Sequence, residues 1–184
     1  MPAAPPATET ATGTEGSVAL GRAVLHFRLP SSAWSAAPLE KNARAVALGF
    51  QRVPIEDTEG RQVIPSITIV VEKLAESPDI VAYTMAKRMA VPFHVDSLFI
   101  WENEPRLKLK NAMCYEGNIS YPDSANPSDP PLVHRLVILH GVEGKFGIQV
   151  IEDSTDSVYA TVRPEFRALL WSLSIDAAGS PRKR

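Results

Sequence analysis

The stretch Leu132 to Ile175, LVHRLVILHGVEGKFGIQVIEDSTDSVYATVRPEFRALLWSLSI, decides the fold. Leu132 to His140 and Lys145 to Glu152 both read as strands, and Gly141-Val142-Glu143-Gly144 between them reads as the short connection of an antiparallel hairpin. After a polar joint the period changes. Phe166, Leu169, Leu170 and Leu173 fall at i, i+3, i+4 and i+7, one stripe of a helix, with Pro164 suited to its first turn and Glu165 to the positive end of its dipole. A hairpin cannot bury its apolar face alone, so this helix is expected to lie across it.

Upstream of that stretch the chain offers further strands. Residues 22–29 alternate Leu25, Phe27 and Leu29 with His26 and Arg28, and Pro30-Ser31-Ser32 ends the run, leaving Trp34 in a loop. Residues 43–55 and 63–72 form a second expected hairpin around the polar turn Glu56 to Arg61. Ser77-Pro78-Asp79 predicts a helix start with Ser77 as the cap, and Val81, Met85 and Met89 follow at a spacing that suggests core filling. Residues 95–102 and 107–120 supply two more strands, and the proline-rich 121–131 reads as a mobile loop at the sheet edge.

The fold class is therefore α+β, a central antiparallel sheet flanked by helices. A leader at 1–17, rich in Pro, Ala and Thr, precedes one domain at 18–176, and 177–184 is a flexible basic tail ending Pro181-Arg182-Lys183-Arg184. With 184 residues and 45% apolar composition one core suffices. A net charge of −2 gives no electrostatic reason to expect nucleic acid. No run approaches the roughly 20 apolar residues of a transmembrane segment. The start has no signal-peptide pattern, so the expected compartment is cytoplasmic if Met1 is the true start, and the cell envelope if an upstream signal was removed.

Chemical motifs are sparse. The single cysteine, Cys114, excludes an internal disulfide and reads as a small buried hydrophobe. His134 and His140 share one strand face but lie about 20 Å apart at ~3.3 Å per residue, and HxH, HExxH and CxxC are missing, so no metal or cofactor is expected. GxSxG and GxxxxGK[ST] are missing as well, so no catalytic residue is assigned and the protein is read as no enzyme. Glu152, Asp153 and Asp156 could in principle serve a hard cation, but they read as a solvated turn. The sequon at Asn118 lies within an apparent strand, which argues against its glycosylation.

Phe27-Arg28-Leu29-Pro30 with Trp34, the segment Pro65 to Leu74, and the closing Phe166 to Leu173 resemble the PsbP-like fold. That superfamily holds the photosystem II extrinsic proteins, the bacterial DcrB-like proteins and a nuclear Ran-binding release factor. The resemblance, over about residues 20–176, implies a PsbP-like α/β/α sandwich whose members act mostly by docking on partners; some are envelope lipoproteins and others chaperones of secreted effectors. It carries over no catalytic set. The expected function is a non-enzymatic protein-binding or accessory module with a protein partner, Trp34, Tyr121 and Asn126 being the candidate contacts. Two alternatives stand beside it: an envelope or secretion-associated accessory protein or chaperone, and a small-molecule binder or enzyme with a sheet–helix pocket using His134 or His140 with Glu116.

Overall fold

The structure is a computed structural model that describes residues 13–38, 45–89, 95–100, 106–121 and 132–177, with 95–100 and 121 described by their backbone alone. In chain order the strands are β1 (Glu15–Leu20), β2 (Ala23–Arg28), β3 (Trp34–Ala37), β4 (Ala45–Arg52), the short β5 (Ile55–Glu56) and β6 (Gln62–Val63), and β7 (Ser66–Lys73). Helix α1 (Ile80–Met89) follows, then β8 (Val95–Ile100), β9 (Ala112–Tyr121), β10 (Leu132–Glu143), β11 (Phe146–Thr155), helix α2 (Asp156–Ser172) and β12 (Ser174–Ala177). The fold is mixed α+β and mostly antiparallel sheet, as expected.

A seven-stranded sheet runs in the order β3-β4-β7-β11-β10-β9-β8, and β1-β2-β12 form a second, three-stranded one. The hairpin of β10 and β11 lies inside the large sheet, with β9 on one side and β7 on the other. Its ladder runs from His134↔Thr155 to Glu143↔Phe146, so the turn is Gly144-Lys145 rather than the longer Gly141–Gly144 connection. Gly144 has φ +55°, which only glycine adopts without cost. Gly141 and Gly147 lie inside the strands. A Cβ on Gly147 would stand 2.5 Å from the Tyr83 ring, so this glycine marks a close approach, not a turn.

Alternate residues of the same strands enter two separate apolar clusters. Val137, Leu139, Ile148, Val150, Ile67 and Ile69 join α2 residues Val162, Phe166 and Leu169, together with Leu25 and Phe27 of the small sheet. Tyr115, Ile119, Leu136 and Ile138 form the other. Helix α2 contacts β2, β10 and β11, whereas α1 contacts β9 and β10.

Helix α2 begins at Asp156, well before the expected start, and Pro164 sits inside it. Proline there removes the bond to the carbonyl of Ala160 and costs about 3 kcal/mol. Val158, Tyr159, Val162, Phe166, Leu169 and Leu170 are buried along the helix, each worth roughly 1.5–3 kcal/mol, so burial outweighs the break. Helix α1 is capped by Asp79, not Ser77: its Oδ1 accepts from the backbone N–H of Val81 (2.8 Å) and Ala82 (3.0 Å). Its inward residues are Tyr83 and Thr84, while Val81, Met85 and Met89 are 54%, 49% and 82% exposed, which corrects the reading of that spacing as core filling.

Pairing begins at Glu15, inside the expected leader, and Ala177 closes β12 against Ala23. Val18 and Leu20 are buried, which is what draws this segment into the fold.

Candidate functional site

Register determines which polar side chains meet. Val137 lies opposite Glu116 on one side and Glu152 on the other, so both acids share its face of the sheet, and the next row holds Asn118, Arg135 and Ser154. Helix α2 brings Tyr159 and Arg163 over these rows. Arg163 Nη2 stands 3.6 Å from Glu116 Oε1, and the Arg135 guanidinium lies 5.1 Å from the Tyr159 ring centre while pairing with Asp156 at 2.9 Å. Glu152 is 0% exposed. Neither of its carboxyl oxygens, nor Ser154 Oγ, nor Asn118 Oδ1 has a hydrogen-bond partner among the described residues.

Burial first, and then the negative charge of Glu116, push the Glu152 carboxyl well above the ordinary range. Burial also raises the Tyr159 hydroxyl, and the Glu116 carboxylate adds to that shift. The cluster can therefore hold a proton at neutral pH. Glu152 itself is enclosed beneath α2, whereas Arg163, Arg135 and Asp156 at the border of the cluster reach solvent.

The opposite face carries the histidines. His134 Nδ1 is 2.8 Å from Asp153 Oδ1, at the mouth of a groove of about 330 Å³ lined by Arg61, Val63, Ile64, Leu132, His134 and Asp153. Beside it a polar chain links Thr155 Oγ1 to Ser157 Oγ (2.9 Å) and Ser157 Oγ–H to Asp57 Oδ2 (3.1 Å). Asp57 also accepts from the backbone N–H groups of Glu59 and Arg61, each at 2.9 Å, and from Arg61 Nε at 2.8 Å. These donors, the Arg61 N–H foremost, outweigh desolvation and hold its carboxyl down at about 2. His140 is buried between Tyr83 and Tyr115, ring centres 5.7 and 5.5 Å away. Desolvation and then the Lys87 charge lower it to about 4, so it is neutral across the physiological range.

The expected contact residues fare differently. Trp34 is not in a loop: it opens β3 and is 4% exposed, its ring 6.0 Å from that of Phe166 and its Nε1–H donated to Glu165 Oε2 at 2.9 Å. The expectation of an exposed loop tryptophan is corrected, because an apolar ring at the sheet edge finds cover under α2. Tyr121 ends β9, with its side chain outside the described residues, and Asn126 lies outside them altogether. Glu116 cannot pair with His134 or His140, since it shares a face with Val137 and they take the other; the acid beside His134 is Asp153. The acids Glu152, Asp153 and Asp156 are scattered by strand alternation: one is buried, one pairs His134, and one opens α2 against Arg135. Among the described residues no His, Cys, Asp and Glu group could hold a metal ion, and Cys114 is buried and in no disulfide.

The expectation that Glu152 belongs to a solvated turn is corrected: it is fully buried, continuing the buried phase of Ile148 and Val150 by two residues. That phase was the available signal.

No protein-family profile and no curated protein matches the chain. Among solved structures, the crystal structure of LpqN, described as involved in cell envelope biogenesis of Mycobacterium tuberculosis, is similar. It is 13% identical, covers 89% of this chain and 91% of its own, and superposes with a TM-score of 0.52. At that identity the likeness is one of fold.

Proposed function

We propose that this chain is a non-enzymatic accessory protein of the cell envelope, a PsbP-like α/β/α sandwich that docks on another protein through the outer side of α1. The observation that carries the docking reading is that side itself. Val81, Met85 and Met89 recur every fourth residue and all face solvent, with exposed Ala82 and Ala86 between them. Flexible methionines among small residues suit an apolar groove or helix on a partner, where they adapt to its shape. Fold likeness to LpqN supports the envelope setting. No helix among the described residues is long and apolar enough to cross a membrane.

The test places a photocrosslinking side chain at position 85 and compares the adducts formed in an envelope fraction with those of a Met89→Asp variant. A discrete adduct lost in the variant, at unchanged stability, supports docking. The same adducts with and without Met89→Asp overturn it.

The reading as a small-molecule binder keeps one specific support, the His134–Asp153 pair at the mouth of its groove, where an imidazole polarised by a carboxylate can act as a base. Asp153→Asn leaving the binding or turnover of every small-molecule probe unchanged counts against it.

A further inference from the structure

Two clefts on this molecule meet at Lys108. The first, of about 240 Å³, is lined by Lys108, Lys110, Asn111, Val142 and Glu143 among others. The second, of about 290 Å³, is lined by His26, Arg28, Lys108, Ser174 and Glu15 among others.

The chain dictates how these cations are presented. In Arg106-Leu107-Lys108-Leu109-Lys110 the two leucines pack against the large apolar cluster, and the three basic residues between and beside them are exposed. The leucine anchors fix the backbone of this segment, so the lysine stems start from the cleft walls and remain free to reach into either cleft. Arg106 is held further by Trp171, its guanidinium 4.4 Å from the ring centre.

Of the other charged groups there, Glu143 shares the first cleft with the two lysines, and those of the second are close to partners. Arg28 pairs with Glu15 at 2.7 Å and His26 with Asp176 at 3.4 Å. Lys108 and Lys110 have no ion pair among the described residues. Lys108 and Lys110 bring two ammonium groups to concave, partly apolar walls against the one carboxylate of Glu143, which leaves the lining net positive in a chain whose overall charge is −2.

We infer that the double cleft centred on Lys108 binds a phosphate-bearing ligand, with Lys108 reaching it from either cleft and Lys110 completing the first. The class follows from the donors: compact, strongly hydrated ammonium groups suit a phosphate oxygen as point charges. A soluble phosphate ester and a lipid headgroup share this chemistry. The inference stands apart from docking through α1 and uses different residues.

The experiment uses the full chain. Calorimetry with glycerol 3-phosphate probes the soluble source, and flotation with vesicles of phosphatidylcholine alone or mixed equally with phosphatidylglycerol probes the lipid one. Binding to glycerol 3-phosphate, or flotation only with the anionic vesicles, is expected, and Lys108→Glu should weaken it by at least about tenfold, as loss of one charge-assisted hydrogen bond does. Arg88→Glu, an exposed cation of α1, makes the same change in net charge and should leave binding within about twofold. Absence of binding to both probes, or equal loss in the two variants, overturns the inference. Denaturant melts of both variants exclude misfolding as the cause.

Discussion

Glu116 and Glu152 stand opposite the same residue, Val137, from its two neighbouring strands, and both side chains are buried. Like charges so placed cannot both ionise cheaply. Arg163 lies beside Glu116, so Glu152 is the one that keeps its proton.

Glu152→Gln should therefore stabilise the protein at neutral and higher pH. The folded-state pKa lies above the unfolded one, so the native protein holds a proton that the unfolded chain releases. Stability from this group is full below the ordinary value of 4.5 and falls as pH rises, by up to about 1.4 kcal/mol per pH unit. Glutamine keeps the shape and removes the proton linkage. Urea melts at about pH 5 and about pH 8 should show the advantage of the variant growing with pH; a constant difference would refute a buried neutral acid.

Trp34→Ala should cost about 3–5 kcal/mol in denaturant melts, the range for emptying a buried aromatic site. Glu165→Ala should cost about 1–3 kcal/mol, because it leaves the indole N–H without its acceptor and Arg52 without its 2.9 Å partner. A solvent-facing tryptophan would change stability by less than about 0.5 kcal/mol.

Gly147→Ala should destabilise by about 1–3 kcal/mol, since the new methyl meets the Tyr83 ring at 2.5 Å. Tyr83 cannot swing away freely: it is buried, and its hydroxyl donates to Glu72 Oε1 at 2.7 Å. Combined with Tyr83→Ala, the glycine substitution should lose most of its cost, giving a double-mutant coupling of at least about 0.5 kcal/mol; strictly additive losses would place the strain elsewhere.

Acid should loosen the structure in two steps. His140, lowered to about 4, contributes stability that is full above the ordinary 6.5 and is lost as pH falls through 4, when the buried imidazole takes a proton. Asp57, lowered to about 2, contributes stability present above 3.8 and lost as pH falls through 2. Thermal melts along this range should show Asp57→Asn least stable relative to wild type at neutral pH and level with it near pH 2. A parallel offset at all pH values would mean that the Asp57 charge plays no part.

Much of the strand content was legible because burial on one face leaves a period of two. The pairs β10/β11 and β4/β7 follow from runs in which Val46, Leu48 and Phe50, or Ile67, Ile69 and Val71, keep one phase. Helix boundaries were less legible. Proline and a polar acid-rich joint signal a helix start locally, yet buried Val158, Tyr159 and Val162 carry α2 back to Asp156. The glycines at 141 and 147 signal a turn locally, yet one of them makes room for a ring that arrives from α1.

The sequence by itself determined an α+β chain, mostly antiparallel strands with two helices, because side-chain periodicity is a local property of the backbone. Only the tertiary structure decided that β7 lies beside β11, that Glu116 and Glu152 share a face that His134 and His140 do not, and that Trp34 is covered while Met85 and Met89 are not. Those outcomes depend on the register of strands distant in sequence. A slip of one residue exchanges the faces, and no local pattern fixes which distant strand supplies the neighbour.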